Sequence, residues 1–334
     1  MRTQSKRANV FALLALVLSG CVIATDYGGG DRMKQSEPGK KTHCLGRYLV
    51  DLPADASLRS RYKFADGTIA SFPGVTQQEF ERRMAAREAE LEGSRHGHGG
   101  GMLVDRVEFA PGRRMYVSWA SPNSRGLYRY QDVAYFRGEQ VLYVFEGDGD
   151  ATPQARADAQ AFGQELLTRT LRYRANEEIP DEAGFCFDRG FIADRELNQE
   201  EFTAGIGLKR YPGVSIKLMS YVTGKPDMDL LKRASNVPPG FEGAVARMKT
   251  LRRGERNIGP LRGQELLVRG DDGGRRSYHF LWETQGRANS LAFPFMSLEL
   301  STSGETAASP ASDEEMLEIW DSILATLRPR PGAT

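Results

Sequence analysis

Three cysteines and four histidines are few for a chain of 334 residues, and the motifs that usually carry chemistry are missing. There is no His-Glu-x-x-His, no Cys-x-x-Cys, no Gly-x-Ser-x-Gly turn and no glycine-rich nucleotide loop after a strand. Zincin-type hydrolysis, dithiol redox chemistry, elbow-type esterase chemistry and dinucleotide binding therefore lack their sequence basis. An excess of charge of one sign is lacking too. The 45 Lys and Arg residues nearly cancel 44 Asp and Glu, and the two signs are interspersed, so nucleic acid is not an expected partner. Beyond the first 20 residues, no apolar run approaches the ~20 residues that a membrane helix needs.

What is present begins at the N-terminus. Arg2, Lys6 and Arg7 precede the apolar stretch Val10 to Leu18, and Leu18-Ser19-Gly20 leads into Cys21. A basic start, a short apolar run and small residues before a cysteine read as a lipoprotein signal peptide over residues 1–20, with lipid on Cys21. Val22 follows in place of an aspartate that would favour inner-membrane retention. The expected location is the periplasmic face of an outer membrane, with the lipid as the sole attachment. Residues 21–42, glycine-rich and charged, read as a flexible tether.

The rest is longer than one core usually serves, and its pattern repeats. Each half opens on a cysteine-led strand, CLGRYLVDLP from Cys44 and CFDRGFIAD from Cys186. Each closes on a helix, from about Pro153 to Arg172 and from Asp313 to Arg328, ending Thr170-Leu171-Arg172 and Thr326-Leu327-Arg328. Earlier helices are predicted near Thr76 to Leu91 and Asp227 to Ala234, with capping boxes at Thr76/Glu79 and Ser312/Glu315. Strands are predicted over 102–109, 115–119, 129–136 and 140–146 in the first half, and over 245–251, 264–269, 277–283 and 291–300 in the second. The expected fold class is α+β: two similar domains, 43–175 and 184–330, each an antiparallel sheet with helices packed on one face. The acidic segment from Ala175 to Gly184 is the linker between them. In the strand from Ser277 to Glu283, alternation puts Tyr278, Phe280 and Trp282 in the core and His279 on a solvated face.

Few residues are candidates for chemistry. Cys44 and Cys186 fit a disulfide in an oxidising compartment, and equally two separate buried thiols. His96 and His98, in the glycine-rich run 93–101, could share a metal with a third ligand, but no carboxylate is spaced to complete the site and a mobile surface loop is the favoured reading. A Ser/His/Asp site around His279 is the weakest enzymatic option. The acidic pairs fall in turns, helix starts and the linker, where each has a structural reason. No catalytic residue, metal site or cofactor is assigned.

The segments CLGRYLVDLPADA and GFCFDRGFIAD, the lipoprotein leader and the two-part organisation together resemble the immunity lipoproteins that protect bacteria against type VI secretion phospholipase effectors. The resemblance spans essentially the whole mature chain. It implies a periplasm-facing protein without activity of its own that binds and inhibits a cognate secreted phospholipase. A binding surface is then expected on loops that follow the first helix of each half: His96 and His98 in one, Phe241 in the other. The loop 121–126 with Asn123 and Arg125, and the hairpin turn with Asp271 and Asp272, are second choices. The rival reading is an envelope lipoprotein that binds lipid or glycan directly, which would need an apolar pocket or an aromatic platform.

Overall fold

The computed structural model describes residues 39–196, 198–236, 239–240, 243, 246–272, 275–302 and 312–334. Cys21 and Phe241 lie outside the described residues. The first half runs β1 (Lys40–Leu45), β2 (Tyr48–Pro53), β3 (Ser57–Phe64), β4 (Gly67–Pro73), α1 (Gln77–Gly93), β5 (Leu103–Ala110), β6 (Arg113–Trp119), β7 (Leu127–Phe136), β8 (Val141–Asp150) and α2 (Pro153–Glu165). A π-helical turn (Leu166–Thr170) then leads into β9 (Leu171–Tyr173). The second half runs β10 (Phe185–Phe187), β11 (Gly190–Ile192), β12 (Glu200–Gly207), β13 (Val214–Tyr221), α3 (Leu230–Arg233), β14 (Lys249–Glu255), β15 (Gln264–Asp272), β16 (Arg275–Thr284), β17 (Phe295–Thr302), α4 (Asp313–Leu324) and β18 (Arg328–Pro329).

The duplication legible in the sequence is a duplication of topology. In the first half the strand order is β5-β6-β7-β8-β4-β3, and in the second it is β14-β15-β16-β17-β13-β12. Numbered within its own half, each sheet has the order 3-4-5-6-2-1. The small sheets show an exchange. The opening hairpin β1-β2 pairs with β18, the closing strand of the second half, while β10-β11 pairs with β9, the closing strand of the first. The two compact units consequently cut across the chain. Of the described residues, one unit, here the C-terminal unit, holds those within 39–43, 49–60 and 203–329; the other, the N-terminal unit, holds those within 44–48, 61–202 and 330–334.

In the N-terminal unit, α1 starts at Thr76, whose side chain accepts from the Glu79 backbone N–H, a cap worth about 1 kcal/mol. It buries Phe80, Met84 and Leu91 against Tyr116, Val133, Tyr135 and Leu142, with Phe80 stacked on Tyr135 at 4.5 Å. The opposite face is covered as well. There α2 brings Gly163 so close to Met115 and Asp132 that a Cβ on it would meet Asp132 Oδ1 at 2.7 Å, and Arg113 Nε donates to the Leu167 carbonyl in the π turn at 3.0 Å. Helices thus cover both faces of this sheet, not one. The predicted helix from Pro153 to Arg172 is correspondingly shorter: its last turn widens to π geometry and the chain leaves it extended in β9.

In the C-terminal unit the predicted aromatic stripe is core: Tyr278, Phe280 and Trp282 are buried, and Phe280 meets Trp320 of α4 edge-on at 5.8 Å. The other face, expected to be solvated, is buried too. Leu230 of α3 packs with Leu266, Val268 and Leu281, and His279 and Glu283 on that face are 5% and 3% exposed. Alternation identified the faces correctly, but a short helix covers the polar one, and ion pairs make its burial tolerable.

Candidate partner-binding site

The two candidate loops of the first half converge. Loop 93–101 leaves α1 with Ser94 N–H donating to Glu90 O at 3.0 Å, turns at Gly99 and Gly100, both at positive φ, and returns through the Arg95–Gly101 bridge. Loop 121–126 connects β6 to β7 and is closed by Ser124 Oγ, which donates to Leu127 O at 3.1 Å. Gly97 N–H donates to Pro122 O at 2.7 Å. A Cβ at Gly97 would lie 2.7 Å from Asn123 Oδ1 and 3.1 Å from Pro122 O, so a larger residue would have to displace the Asn123 side chain and shift the Pro122 carbonyl.

Aromatic rings fix the contact. His96 is buried, stacks on Trp119 at 4.4 Å, and places Nε2 2.7 Å from Ser124 O. Trp119 meets Tyr128 at 4.8 Å. His98 lies 5.4 Å from His96, ring to ring, and its Nε2 accepts from Arg125 Nε at 2.8 Å. Loop 93–101 is a surface loop, as expected from its glycines, with every residue exposed except His96, which anchors it on Trp119. Both imidazoles spend Nε2 on protein partners, and among the described residues no group of three or more His, Cys, Asp or Glu could hold a metal. Outside this packing stand His98, Asn123, Arg125 and Leu127, the last 44% exposed.

Of the six partner-binding candidates named besides Phe241, the structure joins His96, His98, Asn123 and Arg125 in one site in the N-terminal unit. Asp271 is in the C-terminal unit, exposed near the end of β15 opposite Arg276. Asp272 lies opposite Arg275 in the backbone register of the same hairpin. Sequence reasoning missed Leu127, Trp119 and Tyr128; an exposed leucine after Ser-Arg-Gly and an aromatic beside each loop were the available signals.

The C-terminal unit contains a cavity of about 200 Å³ lined by residues including Asp229, Glu255, Gln264, Glu283, Gln285 and Phe293. Buried Glu283 pairs with Arg233 at 2.8 Å and accepts from Gln285 Nε2. Burial raises the Glu283 carboxyl above the usual range, against the pull of Arg233. His279, lowered chiefly by burial, has Nδ1 3.8 Å from Glu299 Oε1, beyond hydrogen-bond reach. Glu283 thus sits in an ion pair with Arg233 and a hydrogen bond from the Gln285 amide, and among the described residues no carboxylate lies within hydrogen-bond distance of His279 to orient it as a triad base.

Cys44 and Cys186 are joined in a disulfide with Cα atoms 5.8 Å apart, beside the Gly46–Cys186 bridge of the N-terminal unit. That settles the open alternative in favour of the bond. The linker segment is equally fixed. Arg174 Nη1 donates to the carbonyls of Ala175, Asn176 and Glu178, and Arg330 donates to those of Pro180, Glu182 and Gly184. Both arginines are 2% exposed and sit at equivalent places, in Thr-Leu-Arg-Tyr-Arg and Thr-Leu-Arg-Pro-Arg.

The two halves of the chain thus repeat one α+β strand order. The Tle cognate immunity protein 4 N-terminal domain matches residues 41–170, and the C-terminal domain of the same family matches residues 178–332. The chain belongs to the Tle cognate immunity protein 4 family. It is similar to the apo immunity protein TplEi of the type VI secretion system of Pseudomonas aeruginosa, at 32% identity and a TM-score of 0.80 over 88% of this chain and 98% of that one. It is similar also to a chain of the crystal structure of the Tle4–Tli4 complex, at 30% identity and a TM-score of 0.82 over 90% and 100%. TplEi complexed with an "L" peptide matches at 30% identity and a TM-score of 0.74, over 88% and 99%. No curated protein sequence matches.

Proposed function

We propose that this chain is a non-catalytic immunity protein that binds and inhibits a cognate phospholipase effector of a type VI secretion system. The observation that carries the reading is the end-to-end likeness to a chain of the Tle4–Tli4 complex. The packed loops around His98 and Arg125 are the surface proposed to meet the effector in the N-terminal unit. The leader sequence supports attachment by lipid at Cys21 to the periplasmic face of the outer membrane, where a phospholipase arriving from outside acts. Confinement to that surface raises the local concentration of the inhibitor.

The test is co-purification of residues 22–334 with a phospholipase effector of the type VI secretion system from the same genome, followed by phospholipid hydrolysis with and without it. A stable complex with loss of hydrolysis is expected. Absence of a complex, or a complex that leaves hydrolysis intact, overturns the reading and favours a lipoprotein that binds lipid or glycan. Palmitate labelling that disappears in Cys21→Ser tests the anchor separately.

A further inference from the structure

Exposed Arg61, Arg95, Arg137, Arg189 and Arg195 of the N-terminal unit form no ion pair with a carboxylate among the described residues. Arg125 shares that state but is held by a side chain, whereas other arginines of the unit are paired. Arg82 and Arg83 pair with Glu79, Arg87 with Glu90, Arg106 and Arg114 with Glu88, and Arg129 with Asp148. Arg125 is exposed, and among the described residues no carboxylate pairs with it. Its Nε is nonetheless held at 2.8 Å by His98 Nε2. An imidazole nitrogen accepts only when unprotonated, so it orders the guanidinium without neutralising it. His98 is supported in turn by the ring of His96, which is fixed between Trp119 and Ser124 O.

Ordering one edge of a guanidinium while leaving its terminal nitrogens without a counter-charge presents two parallel donors at low entropic cost, the arrangement that a carboxylate binds bidentately. Leu127, 44% exposed, supplies apolar contact area nearby. We infer that Arg125, positioned by His98, is a receptor for a carboxylate on an acidic segment of the partner protein, with Leu127 as its apolar neighbour. This rests on the effector-binding reading and names the chemistry of the surface that the effector brings. A membrane plane is disfavoured as the occupant, because an extended array of anionic headgroups would also face exposed Asp148 and Asp150 of β8, paired with Arg129 and Leu127 of β7, whereas a single carboxylate directed at the Arg125 guanidinium need not.

The experiment measures the affinity of the full chain in detergent for the candidate phospholipase effector from the same genome by calorimetry, with folding of each variant checked by thermal melting. Arg125→Glu is expected to weaken binding by about 100-fold or more, as for opposed charges at an interface, and Arg125→Lys by less. His98→Ala should weaken it and His98→Gln, whose amide oxygen can accept from Nε, should restore it. If wild type binds and Arg125→Glu stays within about twofold of it, the inference is overturned.

If wild type does not bind the lipase, the effector reading fails, and titration with hexaglutamate decides the receptor alone. Movement of the Arg125 Nε–H resonance in wild type, reduced in His98→Ala, supports the carboxylate site; no movement overturns it. Sedimentation with phosphatidylglycerol vesicles that depends on Arg125, without an effect on lipase or hexaglutamate, overturns it in favour of a membrane contact.

Discussion

Arg47 grips Glu200 at two points in the interior of the N-terminal unit, Nη2 to Oε1 at 2.6 Å and Nε to Oε2 at 2.9 Å, with side chains only 3% and 6% exposed. Arg47 also donates through Nη1 to the carbonyls of Asp194 and Ala333. One side chain thereby ties together the turn between β1 and β2, the start of β12, and the carbonyls of Asp194 and Ala333. Burial raises the Glu200 carboxyl, and the guanidinium opposes that rise. Arg47→Ala leaves a buried carboxylate alone and should cost about 3–5 kcal/mol of stability. The paired replacement Arg47→Met with Glu200→Leu should cost less than either single change, as read by urea denaturation.

The Cys44–Cys186 bond closes a loop with a sequence separation of 142 residues. Confining so long a loop in the unfolded chain is worth up to about 5 kcal/mol in the chain-entropy model. Cys44→Ala with Cys186→Ala, or reduction of the native chain, should lower stability by about 2–5 kcal/mol. Equal melting temperatures for oxidised and reduced protein would refute this.

The exchange of opening hairpins and closing strands makes each compact unit draw on both halves of the chain. Residues 39–175 and 176–334 expressed apart should therefore lack cooperative thermal transitions, and mixing them should restore one. Two separate sharp transitions from the isolated halves would show that the exchange is dispensable.

How much of this was legible depended on whether local pattern carried the signal. Thr76 with Glu79 and Ser312 with Glu315 marked helix starts because capping is local, and both caps are formed. Tyr278, Phe280 and Trp282 marked a core face because side chains alternate along a strand. β3 and β4 were not assigned, although Tyr62 and Phe64 are buried at alternate positions with exposed Lys63 between them. β13, with Val214, Ile216 and Leu218 buried in strict alternation, was available and overlooked. The burial of His279 and the pairing of β1-β2 with β18 were not legible, since both depend on residues distant in the chain. The same holds for the candidate site: two loops were recognisable, but their union through His96 and Trp119 is a tertiary fact.

That union depends on the absence of a side chain at Gly97. Gly97→Ala would push against Asn123 Oδ1 and Pro122 O, parting the loops and loosening the stack of His96 on Trp119. The expected results are a loss of about 1–3 kcal/mol of stability, the range for overpacking a close contact, and faster hydrogen exchange at Gly97. Effector affinity should fall with it. Unchanged exchange at Gly97, whose N–H is bonded to Pro122 O, would mean that the loops do not depend on this contact.

Asp132 offers a test of stability against pH. It lies on β7 under α2, 7% exposed, with Oδ1 lacking a partner in the described structure, and burial pushes its carboxyl from 3.8 up to about 7. The folded state therefore holds this proton over a range in which the unfolded chain has released it. Stability must fall as pH rises from about 4 to about 7 and level off above, because a raised carboxyl favours folding only while protonated. At 1.36 kcal/mol per unit the contribution is at most roughly 4 kcal/mol. Asp132→Asn keeps the shape and removes the charge, so it should flatten that part of the profile and raise stability at pH 8. Urea titrations of both proteins between pH 4 and pH 8 provide the check. Parallel profiles would show that Asp132 does not carry the slope, and a stability loss in Asp132→Asn at pH 8 would mean that the charged carboxylate is favoured beside Gly163.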